Sequence, residues 1–106
     1  MKVVVSRSTA PVPDVIVTDV DDLKDLRVLA GDLDDHDLDD ALVAHGMGRV
    51  SQGHAWLEVD SLRRSGGDAP AWQAGFTAMI AYASSKGWVD TAAGTVRAHL
   101  VRSGRS

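Results

Sequence analysis

Residues 68–87 read DAPAWQAGFTAMIAYASSKG. The stretch predicts one helix of nearly five turns. Asp68 is placed to cap it, and Pro70 suits the first turn, where a missing N–H costs nothing. Lys86 falls in the last turn, at the negative end of the helix dipole. Gly87 can take the left-handed conformation that ends a helix. With a turn of about 100° per residue, Trp72, Phe76, Met79, Ile80 and Ala83 share one face, the spacing of a helix that faces a core. The other side is unusual. Ala74, Thr77, Ala78, Ala81, Ser84 and Ser85 are small, and no charged residue lies between Asp68 and Lys86. A solvated helix face normally carries Lys, Glu or Arg, so this one is expected to be covered on a second side.

Working outward, Trp88 and Val89 start a strand, Asp90 to Gly94 turn, and Thr95 to Arg102 return. Val96, Ala98 and Leu100 alternate with Arg97, His99 and Val101. Before the helix, His54 to Val59 reads as a strand and DSLRRS (60–65) as a short helix capped by Asp60 and ended by Gly66–Gly67. Arg49–Gly53 is a turn or short strand. Leu38, Ala41, Leu42 and His45 share a face, which predicts a helix from Asp34 or Asp35 to His45, with Asp residues favoured in its first turns. At the amino end, Lys2–Ser6 and a run around Val15–Val17 are β-branched, and the prolines start the second strand no earlier than Asp14. Residues 19–29 are ambiguous: Leu23, Leu26 and Leu29 favour a short helix from Asp21, against a strand at 26–29.

These elements predict a single α+β domain over residues 1–102, with short antiparallel strands packed on a long central helix, and a flexible tail at 103–106. A winged-helix-like order from residue 34 onward is the competing topology. HAWLEVDSLRR (54–64) resembles the strand-then-second-helix entry of the winged-helix family, and KGWVDTAAGTVRAHL (86–100) resembles its wing. The resemblance covers about half of the chain. It implies a DNA-binding regulator whose third helix reads bases, with Arg63, Arg64, Lys86, Arg97 and Arg102 toward phosphates. Against that, the helix that should enter the major groove carries no Arg.

Composition narrows the field. There is no cysteine, which excludes disulfides, thiol catalysis and thiolate metal sites. No stretch is apolar enough to span a membrane, and one Lys before three valines is too short for a signal peptide, so a cytoplasmic protein is expected. Residues 1–48 hold eleven Asp against Lys2, Arg7, Lys24 and Arg27, while residues 49–106 hold Glu58, Asp60, Asp68 and Asp90 against six Arg and Lys86. The mild basic excess of the second half falls short of the dense patch of a sequence-independent nucleic-acid binder.

The run Asp32, Asp34, Asp35, Asp37, Asp39, Asp40 invites a calcium loop. Counted from Asp32, the sixth place is Asp37, where the turn needs Gly, and the twelfth is Val43, where a bidentate Glu is required. The run is therefore read as a helix amino terminus with a solvated face, and no metal site is assigned. No phosphate-binding glycine loop, nucleophile elbow or paired-His spacing is present, so no catalytic residue and no cofactor is assigned.

Two sets of side chains remain. His54, Trp56, Trp72, Tyr82, Trp88 and His99 are candidates for lining a ligand cavity. Ala74, Ala78, Ala81 and Ser85 are candidates for an interface. The expectation is a small interaction or accessory domain that self-associates or binds a protein partner, with the DNA-binding regulator and the ligand-binding protein or enzyme as alternatives.

Overall fold

The computed structural model describes residues 1–6, 13–23 and 25–102. Among them the chain forms seven strands and three helices: β1 (Lys2–Ser6), β2 (Asp14–Thr18), β3 (Arg27–Gly31), α1 (Asp35–Ala44), β4 (Gly48–Ser51), β5 (His54–Glu58), α2 (Val59–Ser65), α3 (Pro70–Ser85), β6 (Val89–Asp90) and β7 (Thr95–Arg102). The predicted tail at 103–106 lies outside the described residues. The strands make one mixed sheet in the order β2-β1-β3-β7-β5-β4, with β6 also on β7. The domain is thus α+β, as expected.

The sheet is not wholly antiparallel. β1–β3 and β3–β7 are parallel pairs. They arise because residues 27–31 are a strand, not the tail of a helix. The three-residue spacing of Leu23, Leu26 and Leu29 is coincidental. Leu23 lies in a turn under α3 and Leu26 precedes the strand, while Val28 and Ala30 carry the burial. A strand paired on both edges satisfies its backbone there, which a single helical turn could not do in the same place.

β7 joins the sheet. Its first half pairs with β5 on one edge and β6 on the other, and its second half pairs with β3. Alternation along the strands defines two faces. Val3, Val5, Val28, Ala30, Ala55, Leu57, Val96 and Ala98 point to the side that carries the helices. There they pack with Leu38, Ala41 and Leu42 of α1, Leu62 of α2, and Trp72 and Phe76 of α3. On the opposite face Ile16, Val4, Leu29 and Val101 stand in register as one cross-strand row. None of these four belongs to the helix-side core.

The caps refine the predicted ends. Asp34 caps α1, its carboxylate accepting from Asp37 N–H at 2.8 Å. Asp39 accepts from Val50 N–H at 2.7 Å and so ties α1 to the edge strand β4. Arg102 donates to Leu33 O and to Asp35. The acidic run therefore works as scaffolding. Asp60 and Asp68 do not cap: α2 starts directly after Glu58, and Ala69 precedes Pro70 with no side-chain bond. At its other end α3 stops as predicted. Gly87 has φ +79°, Trp88 N–H donates to Ala83 O at 2.9 Å, and Gly87 N–H donates to Ser84 O at 3.0 Å, the paired closure that a left-handed residue permits.

α3 is not wrapped by the domain. Trp72, Phe76 and Ala83 are buried and Met79 and Ile80 half-buried, but Ala74, Thr77, Ala78, Ala81, Ser84 and Ser85 are all exposed. The expected second cover does not come from this chain.

Thr95 is 2% exposed, and its hydroxyl finds no hydrogen-bond partner among the described residues. A buried hydroxyl without a partner costs about 1–3 kcal/mol. Thr95→Val keeps the shape and removes that cost, so it should stabilise the domain by about 1 kcal/mol, raising Tm by about 4–8 °C. Thermal melts of the two proteins measure this; an unchanged or lower Tm would mean the hydroxyl is bonded.

Candidate ligand cleft

The edge of β7 changes partner midway. Arg97 N–H donates to Trp88 O at 2.7 Å, and the next outward-facing N–H on that edge, from His99, donates to Leu26 O at 3.2 Å. Trp88 leads into β6 and Leu26 leads into β3, so a notch opens between them. α3 passes over it with Met79, Ile80, Tyr82 and Ala83. The result is a cleft of about 470 Å³, bordered also by Asp25, Gly53, His54, Val96, Ala98 and Leu100. Such a volume falls within the range of small-molecule sites, and so does its make-up of apolar walls with a few polar groups.

Two ends of the cleft differ. Val96, Ala98 and Leu100 share the helix-side face of β7 and meet Met79, Ile80 and Ala83 there. Arg97 and His99 belong to the other face by alternation. His54 continues the β5–β7 register one step beyond Ala55↔Ala98, which sets it across from His99. The apolar end is built by α3 and the helix-side face of β7, and the polar end by two neighbouring strands.

The rim is organised by rings. Tyr82 and Trp88 meet edge-on with centroids 6.2 Å apart. The Arg97 guanidinium lies over the Trp88 ring, 5.7 Å from its centroid, and Lys86 Nζ lies 5.4 Å from that of Tyr82. The wall at Asp25–Leu26 is tied down by the amino terminus. The Met1 ammonium donates to Asp22 O and, at 2.8 Å, to Asp25 O, and Arg27 N–H donates to Met1 O at 3.2 Å. Burial pushes this ammonium below its ordinary pKa, against the pull of Asp22, Asp25 and Asp19.

Of the six candidate lining residues, the structure gathers His54, Tyr82, Trp88 and His99 at this cleft. Trp56 and Trp72 do not belong to it. Trp56 stands on the helix-free face between Arg49 and Arg97. Trp72 is buried between Gly66 and Phe76, with its indole N–H donating to Val20 O at 2.7 Å. Sequence reasoning missed Met79, Ile80 and Ala83 as lining, because their spacing is that of any core face. It missed Asp25 and Leu26 because they were read as helical.

Of the five cations assigned to a phosphate surface, Lys86 and Arg97 flank the Tyr82–Trp88 ring pair, and the other three have partners elsewhere. Arg63 lies along α3, donating to Gln73 Oε1 at 3.1 Å and Thr77 Oγ1 at 3.2 Å and stacking 4.9 Å over Phe76. Arg64 donates to Ser61 at 3.2 Å. Lys86 and Arg97 stack on rings, and Arg102 is paired with Asp35. Among the described residues, ligand atoms of His36, Asp37 and Asp40 lie within 4.8 Å of one another on the face of α1. His36 and Asp40 are exposed and already bridge at 3.3 Å, so this is ordinary i,i+4 pairing on a solvated helix. No described helix is long and apolar enough to cross a membrane.

No protein-family model, curated protein or solved structure matches the chain.

Proposed function

We propose that this domain is a small-molecule-binding protein whose site is the notch beside β7. The observation that carries the reading is the convergence of four segments distant in sequence (25–26, 53–54, 79–88 and 96–100) around one cleft of ligand size. A hydrophobic core closes such gaps wherever side chains can fill them. Here the gap is kept by the switch of partner strand, and Tyr82, an exposed aromatic, stands at its rim. The described lining residues are mostly apolar or aromatic, which supports a reading of binding.

Tryptophan emission tests it, since Trp88 lines the cleft. A screen of apolar and aromatic fragments should yield ligands whose signal is lost in Trp88→Phe and kept in Trp56→Phe. A screen without a single response, or responses that survive Trp88→Phe, would rule the site out.

Self-association is a second reading, and the exposure of Ala74, Ala78, Ala81 and Ser85 favours it. A second copy of α3 could approach this face closely, without stripping water from any charge. Sedimentation at micromolar concentration should show a dimer that Ala78→Glu dissociates. A dimer that ignores Ala78→Glu but yields to Leu29→Lys would place the contact on the open sheet row instead. A monomer at all concentrations ends this reading. The DNA-binding alternative is weakened because Arg102 is paired with Asp35 and Arg63 is bound to Gln73 and Thr77, and absence of binding to duplex DNA at low salt would remove it.

A further inference from the structure

We infer that the cleft takes an amphipathic anion: a compact apolar body carrying a carboxylate or a comparable oxyanion. This rests on the binding reading above and adds the chemical class of the ligand.

The inference comes from which cations in the sheet have partners. On β1, β3 and β7, Lys2 holds Asp19 at 2.8 Å, Arg27 holds Asp25, and Arg102 holds Asp35. Arg97, among the described residues, has no carboxylate. It is half-buried, fixed over the Trp88 ring, and borders the cleft. The lining contains one acid, Asp25, which already accepts from Arg27 Nε. A cationic ligand would find no unpaired carboxylate there, whereas an anionic one finds a guanidinium held in place. A planar guanidinium already ordered by a ring loses little freedom on meeting an oxyanion, and suits two parallel hydrogen bonds to it. His54 and His99 stand on the same side of the sheet as Arg97, and a neutral imidazole still offers one N–H. The opposite end, formed by Met79, Ile80, Ala83, Val96, Ala98 and Leu100, offers nothing polar from its side chains and calls for hydrocarbon or an aromatic ring.

Matched pairs of probes separate the charge from the body. 1-Naphthylacetate and 1-naphthylacetamide share one ring system, and octanoate and octanamide share one chain. They are titrated into the full-length protein and followed by amide NMR shifts. The expected result is perturbation centred on residues 79–83, 88 and 96–100, with at least one carboxylate binding tenfold or more tightly than its amide. In Arg97→Gln that preference should collapse to within threefold while amide binding holds, and Arg97→Lys should restore part of it. Both variants are checked for an unchanged amide spectrum elsewhere. Equal binding of acid and amide, or a preference that survives Arg97→Gln, overturns the anion assignment and leaves the cleft as a neutral site. If no probe moves these residues, the binding reading falls together with it.

Discussion

Gly48→Ala should leave the protein largely unfolded at 37 °C. Gly48 opens β4 with φ +153°, a conformation that side chains other than hydrogen rarely adopt. Holding alanine there costs about 1–3 kcal/mol on its own. The larger cost is steric. A Cβ built on Gly48 falls 2.1 Å from Trp56 O and 2.9 Å from the Leu57 Cα, both backbone atoms of the paired strand. Backbone cannot rotate aside as a side chain can, so β4 must separate from β5. That separation strains the neighbouring bonds, Glu58 N–H to Met47 O at 2.7 Å and Met47 N–H to Leu42 O at 2.9 Å, which seat the hairpin on α1. The combined loss should exceed about 4 kcal/mol, a large share of the 5–15 kcal/mol that holds a small domain together. Gly53→Ala is the control. Gly53 also has positive φ, +79°, but a Cβ there meets nothing within 4 Å. It should lose only about 1 kcal/mol. Urea unfolding of both variants measures the gap, and equal midpoints would show that the strand contact at Gly48 is looser than described.

Phe76→Ala should be the most damaging side-chain truncation in α3. Phe76 is fully buried. Its ring stacks on Trp72 with centroids 5.2 Å apart and planes 15° from parallel, and Arg63 covers it at 4.9 Å. Truncating a buried Phe costs about 3–5 kcal/mol, because the lost burial is joined by the cavity left behind. The neighbours here are poorly placed to collapse. Trp72 is held by its bond to Val20 O, and its ring rests where Gly66 has no side chain. Arg63 is held by Gln73 and Thr77. The upper part of the range is therefore expected, together with a change in tryptophan emission as Trp72 loses its partner. Phe76→Leu, closer in volume, should cost much less. If alanine and leucine lowered the urea midpoint equally, packing around the ring would not be the source of the effect.

How far these features could be read from the sequence depends on the range of their causes. α1, α3, β5 and β7 were legible because local signals agree there: apolar spacing, Asp34 before α1, Pro70 and Gly87 at the ends of α3, and the alternation of Val96, Ala98 and Leu100 with Arg97 and His99. β3 was half legible: a strand at 26–29 stood as the alternative to the favoured helix, and it is the strand that forms, because these residues gain their strand character from neighbours about 25 residues before and 70 after in the chain, with little propensity of their own. Parallel pairing followed from the same distant partners and was missed. The cleft was half legible. Aromatic and histidine residues announced themselves by type, and the adjacency of His54 and His99 followed once their strands were neighbours. Which apolar residues line a gap and which fill a core is a matter of three-dimensional closure, and Met79 carries no mark of it. The small-residue face of α3 was legible as unusual, yet whether it is covered lies beyond one chain.

β7 has a bearing on the order in which the chain can assemble. β1–β2 and β4–β5 are local pairs, able to form as soon as their own residues exist. The described strands give these two groups no direct pairing with each other; both reach β7, through β3 on one side and directly from β5 on the other. β7 follows in sequence every strand that it joins. During synthesis the two groups must therefore wait, with Val3, Val28 and Leu57 short of their final neighbours, until residues 95–102 have emerged. Closure then depends on contacts of high sequence separation, which slow folding and lengthen the exposure of unpaired edges. A product that stops short of residue 95 would lack the strand that joins the two parts of the sheet, together with the buried Val96 and Ala98, and would be a substrate for proteases rather than a smaller version of the same fold.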